Sequence, residues 1–107
     1  MIGVPKIVRY RNRQYLDWIA QQPCIVCGYK PRSEYRSDPD NDWNDPAHIG
    51  EGAKPDDTRA LPMCHPHHAM AHQIGEKTFA EIHNLDYKEL QIQHITRWLQ
   101  VTEQSKF

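Results

Sequence analysis

Apolar residues recur along this chain in a few short stretches separated by long polar ones. In "RNRQYLDWIAQQ", residues 11 to 22, Tyr15, Leu16, Trp18 and Ile19 fall at mostly helical spacing and Pro23 ends the run. That pattern predicts a first helix delivering the chain to Cys24. From Gly28 to Pro62 the sequence is rich in Pro, Gly, Asp, Asn and Ser, with short apolar pieces at "AHI" and "ALPM". Turns and short strands suit this stretch, which has no core of its own. Pro66 marks a helix start, because a first-turn proline gives up an N–H that has no intrahelical partner anyway. This helix should run through His67 to about Gln73 and end near Gly75. "EKTFAEIHN" and "DYKELQIQHITRWLQV" predict two more helices. In the last, Asp86 with Glu89 three residues on is a capping-box-like start, and Leu90, Ile95, Trp98 and Leu99 supply an apolar stripe.

At 107 residues the chain has room for one domain, residues 1–107. Its parts would be a helix over about 11–22, a core over about 23–86 and a C-terminal helix over about 86–101. A mean hydropathy of -0.84 and 38% hydrophobic residues imply a thin core, which a bound metal would help to hold. Three cysteines, two of them in C-x-x-C, and an N-terminus without an apolar signal-like stretch argue against a disulfide framework. Reduced thiols and a cytoplasmic location are expected, and no apolar run is long enough for a membrane span.

The net charge of -1 does not favour a general polyanion binder, but the charge is unevenly spread. Residues 1 to 36 carry seven Lys/Arg against two Asp/Glu, and residues 37 to 57 carry one against seven. The first third could offer a basic face to phosphate and the middle could attract cations, or both are ordinary solvated faces.

The chemistry lies in the cysteines and histidines. Cys24-Ile-Val-Cys27 is a pair of thiols that can turn back on one ion, and Cys64-His-Pro-His67 is a second pair with the same gap. Four N/S ligands in two such pairs predict a tetrahedral structural Zn2+ site. His67 and His68 point about 100° apart on a helix, so they should serve different sites. His68 and His72, at i and i+4, share a face and could grip a second ion together.

With "CIVCG", "DPAHI" and "LPMCHPHHAMAH" in this order, followed by "IGEKTF", the sequence resembles the HNH endonucleases of the ββα-metal superfamily, in particular the small phage and prophage type. The likeness covers about residues 23 to 86. It implies an α+β fold, a zinc-stapled ββα-metal core with flanking N- and C-terminal helices. It also implies a metal-dependent DNA endonuclease of phage recombination or repair, working in a bacterial host's cytoplasm. His48 would be the general base, at the end of a strand and facing the helix that carries His68 and His72. A neutral imidazole can take a proton from water, and the divalent cation on His68 and His72 (Mg2+, Mn2+, Ni2+ or Zn2+) would stabilise the leaving 3′-oxygen. Products with 5′-phosphate and 3′-hydroxyl ends would follow.

The sequence departs from the family pattern at Ala47, where many members place a His or Asp metal ligand. Asp45 lies two residues earlier, on the same face of an extended segment, and could replace it. The family's middle asparagine has no clear counterpart in "KPDDTRALPMC". Asp57 is the residue placed to orient His48 through its second ring nitrogen, with Asp56 or Thr58 as alternatives; "KPDD" could equally be a turn or helix cap.

Asp38, Asp40 and Asp42 alternate as in a calcium loop, but the required glycine and glutamate are absent, so a flexible acidic loop is expected. His83 and His94 are read as surface or half-buried, and His65, before a proline, as extended. Arg9, Arg11, Arg13, Lys30, Arg32 and Arg36 are candidates for DNA-backbone contacts. DNA is the expected partner, with a recombination protein as a further one, no membrane partner, and a monomer or homodimer. The competing reading is a non-catalytic zinc-binding module for DNA or protein interaction.

Overall fold

The computed structural model describes residues 10–50 and 56–104. Helix α1 (Arg13–Ala20) is followed by strand β1 (Asp45–His48), a 3-10 turn at Asp57–Arg59 and strand β2 (Ala60–Met63). Helices α2 (His65–Ile74), α3 (Glu76–His83) and α4 (Tyr87–Gln104) complete the chain. The arrangement is α+β. A two-stranded sheet leads straight into α2, with helices on either side, in keeping with a ββα-metal-like fold in general terms.

Each boundary has a local cause. α1 is shorter than residues 11–22 because Asn12 is extended and its side chain accepts the Tyr15 N–H at 3.0 Å, so the helix begins only after it. At the other end the Gln21 N–H turns back to the Trp18 carbonyl at 3.1 Å, before Pro23. α2 starts one residue before Pro66, so His65 is helical and not extended. The His68 N–H already reaches the Cys64 carbonyl at 2.9 Å, which draws His65 into the first turn and overrides the bias that a following proline imposes. At α4 the Asp86 carboxylate accepts the Glu89 N–H at 3.2 Å, as a capping residue should.

The strands pair antiparallel with Asp45 opposite Met63, Pro46 opposite Pro62, Ala47 opposite Leu61 and His48 opposite Ala60. Both prolines fall on one pair, where neither has an N–H to donate, and the ladder resumes with Ile49 N–H to the Arg59 carbonyl at 3.2 Å.

Because side chains alternate, this small sheet divides the core in two. On one face Ala60 packs with Tyr15 and Ile19 of α1, and with Trp98 and Ile95 of α4. On the other, Ala47, Ile49, Leu61 and Met63 pack with Ala71 of α2 and Phe79 of α3. The core is thin, as the composition implies; α1 serves one half and α2 and α3 the other, while α4 reaches both, through Tyr87 and Leu90 at its start and Ile95 and Trp98 further on.

Candidate metal centre

The turn between α1 and the acidic loop is built to present thiols. Gly28, at φ 75, lets the chain reverse, and its N–H closes on the Cys24 carbonyl at 2.8 Å. The Ile25 N–H bonds the Pro62 carbonyl at 3.0 Å, which ties this knuckle to β2. Immediately after β2, Cys64 caps α2 without using its side chain as a cap, leaving the thiol free, and His67 sits within the first turn.

These elements bring Cys24, Cys27, Cys64 and His67 together, with one ligand atom from each lying within 4.8 Å of every other. Cys27 Sγ and Cys64 Sγ are 3.8 Å apart, as are Cys24 Sγ and His67 Nδ1, and Cys64 Sγ lies 3.1 Å from His67 Nδ1. A tetrahedral ion with sulfur ligands at about 2.3 Å would separate them by roughly 3.8 Å, so these separations are of the size that one shared cation requires. The thiols themselves point the same way. Burial, reinforced by the neighbouring Cys24 and Cys27 sulfurs, pushes the Cys64 thiol up to about 11. Burial also opposes ionisation of Cys24, but N–H groups around its sulfur and His67 outweigh it and bring that thiol down to about 7. Three sulfurs this close resist carrying charge together unless a cation neutralises them.

The rings of Phe79 and His83 on α3 lie against His67, with centroids 6.4 and 5.8 Å away. His83 Nε2 is buried without a hydrogen-bond partner. Sequence reasoning read His83 only as surface or half-buried; its spacing from Phe79, one helical turn earlier, is the signal that the two share a face.

A second group lies beside the first. Asp45 Oδ2 accepts from His68 Nδ1 at 2.9 Å and Oδ1 from His65 Nδ1 at 2.7 Å, while His72 Nε2 faces His68 Nε2 at 3.0 Å. Burial opposes ionisation of Asp45, but the two imidazoles outweigh it and hold its carboxyl below the usual range. The three residues expected at a second ion are thus neighbours, arranged in a row and not around one point: Asp45 and His72 approach opposite nitrogens of the His68 ring. Among the described residues, only the Cys3His group has its ligand atoms all mutually within 4.8 Å.

His48 Nε2 shares a hydrogen bond with Asp57 Oδ1 at 2.9 Å, and Asp57 also accepts the Asn12 N–H at 2.7 Å and Arg11 at 3.4 Å. Burial of Asp57 opposes its ionisation, but these donors outweigh it and hold its pKa low. His48 does not face α2. It pairs with Ala60, whose side chain joins the α1 half of the core, whereas Asp45 pairs with Met63, on the α2 half. Alternation along three residues of strand puts His48 and the Asp45–His68–His72 row on opposite faces of the hairpin.

Arg13 and Arg36 meet on Asp17, with nitrogens 3.4 and 3.0 Å from the same carboxylate oxygen, and Arg11 is on Asp57. Lys30 and Arg32 are exposed, and Arg9 lies outside the described residues. Arg13, Arg36, Asp45 and His65 line one cleft of about 260 Å³. Within the acidic loop, Asp42 accepts the Tyr29 hydroxyl and the Arg32 and Ser33 N–H groups at 2.5 to 3.0 Å. That carboxylate is committed to the loop. His94 also departs from the reading as surface or half-buried: packing of α4 on α1 buries it against Trp18, with its Nδ1 on the Leu90 carbonyl at 2.7 Å.

Fold and donor set together define a metal-binding α+β module. The chain belongs to the family described as protein of unknown function (DUF968), which it matches over residues 1–101. No curated protein and no solved structure matches it. Among the described residues no helix is long and apolar enough to cross a membrane.

Proposed function

We propose that the protein is a zinc-stapled interaction module that binds DNA without cutting it. The observation that carries this reading is the separation within the fold. Cys24, Cys27, Cys64 and His67 converge on one point, whereas the residues of a one-metal nuclease are split between the two faces of the hairpin. The Cys3His donor set suits Zn2+, and its position joins the knuckle, β2 and α2. DNA is favoured as the partner by the basic first third of the chain, where Arg11, Arg13 and Arg36 lie around α1. The surface ion pairs of Arg13 and Arg36 with Asp17 cost little to exchange for phosphate, whereas Arg11 reaches solvent from a buried partner, Asp57.

A second reading, an HNH endonuclease, draws on the His48–Asp57 hydrogen bond and the Asp45–His68–His72 row. In it Asp57 fixes the His48 tautomer so that Nδ1 receives the proton of water, and His68 and His72 hold a divalent cation.

One experiment separates the two. Supercoiled plasmid and single-stranded circular DNA are incubated with the protein and Mg2+, Mn2+, Ni2+ or Zn2+, beside a His48→Ala variant of matched zinc content. DNA retardation without cleavage under every ion is the expected outcome. Metal-dependent nicking that the variant loses would transfer the reading to the nuclease. For the DNA surface, Arg11→Glu with Arg13→Glu should weaken binding and flatten its dependence on salt; an unchanged salt slope would remove these two arginines from the interface.

A further inference from the structure

The three sulfurs of the metal centre are not equivalent. Cys24 is buried, at 3% exposure, with the Val26 N–H on its sulfur at 3.4 Å. Cys27 is exposed, Cys64 is half-buried, and their sulfurs lie 3.8 Å apart. A cavity of about 430 Å³ walled by Tyr29, Trp43 and Pro66 opens onto Cys27 and Cys64 but not onto Cys24.

We propose that the centre is a redox switch, in which an oxidant of the peroxide class joins Cys27 to Cys64 and not to its sequence neighbour Cys24. The idea rests on the zinc-stapled reading. The Cys27 thiolate attacks one oxygen of hydrogen peroxide, the O–O bond breaks, and hydroxide leaves the newly formed sulfenic acid. The Cys64 thiolate then attacks that sulfur, forming the S–S bond and expelling a second hydroxide. Two thiolates have lost two electrons, and the peroxide has been reduced to two hydroxides. Cys24 and His67 remain, two donors where a tetrahedral site needs four. The knuckle and the start of α2 lose their common anchor, so oxidation would switch off any surface that depends on their spacing.

C-x-x-C spacing alone would single out Cys24 and Cys27 as the pair to oxidise. The fold selects otherwise, because an oxidant in solution reaches Cys27 through the cavity it shares with Cys64, while Cys24 is shielded and held by a backbone N–H.

The test uses zinc-loaded full-length protein titrated with hydrogen peroxide. Released zinc is read with a chromogenic chelator, and disulfides are mapped by peptide mass spectrometry after free thiols are blocked. About one zinc should be released per peroxide consumed, with Cys27–Cys64 as the main disulfide and Cys24 recovered as a blocked thiol. Dithiothreitol with added zinc should restore the starting protein. A main Cys24–Cys27 disulfide, or zinc retained through a large excess of peroxide, would overturn the switch alone. A protein that takes up no zinc would overturn both the switch and the zinc-stapled reading.

Discussion

Asp57 receives the Asn12 N–H at 2.7 Å, the Arg11 guanidinium and His48, so one buried carboxylate ties the start of α1 to the end of β1. Asp57→Ala would leave the Asn12 N–H and His48 without their acceptor and should cost about 1 to 3 kcal/mol. Urea unfolding checks this, and a variant as stable as the wild type would deny the carboxylate that role. Its depressed pKa has a sign as well. The stability it contributes is present above its unfolded pKa of about 3.9 and is lost as pH falls through the lower folded value. At the metal centre, Cys64→Ser removes one of four ligands, and the expected result is loss of zinc from the purified protein, measured by metal analysis. Full zinc content would exclude Cys64 as a ligand. Cys24, Cys27, Cys64 and His67 were legible in the sequence because two matched spacings leave few ways to turn four donors inward. The contacts of His65 with Asp45 and of His83 with His67 were not, since they join residues whose relation is set by how α2 meets β1 and α3.

Among the elements, the helices were readable from apolar spacing and the strands from "AHI" and "ALPM", with ends displaced by local capping. What spacing could not show is the neighbour each helix covers. α4 lays Trp98 against Tyr15 and Trp18 of α1, with ring centroids 5.6 and 5.7 Å away, and buries His94 in the same seam. Burial lowers the His94 pKa and Arg97 adds to the effect, against the opposing Leu90 carbonyl. The unfolded chain therefore takes up the proton first, and stability held above about pH 6.5 is lost as pH falls below it. His94→Leu should lose less stability between pH 8 and pH 5 than the wild type does, as read by urea unfolding at both values. Equal losses would mean that His94 does not carry the acid sensitivity of this seam.

At the level of the molecule, the two halves of the core meet at the hairpin but are held by different means. The α2/α3 half has the Cys24–Cys27 knuckle packed on it through Ile25 and Val26, whereas Tyr15, Ile19, Ala60, Trp18 and Trp98 close the α1/α4 half by packing, with Asp57 hydrogen-bonding the start of α1. Chelation should therefore release amide protection first in residues 24–27 and 64–74, while α1 stays protected longer, followed by hydrogen exchange with and without EDTA. Simultaneous loss across both halves would show that the metal centre organises the whole fold.

The sequence by itself determined the donor types, their pairing by spacing and the order of strands and helices, because these depend on neighbours along the chain. It left open which face of a four-residue strand each side chain would meet. Only the tertiary structure decided that, through the pairing of His48 with Ala60 and Asp45 with Met63. The physical reason is the two-residue period of a strand, which turns a small difference in position into opposite sides of a sheet. That alternation separates the His48–Asp57 pair from the Asp45–His68–His72 row.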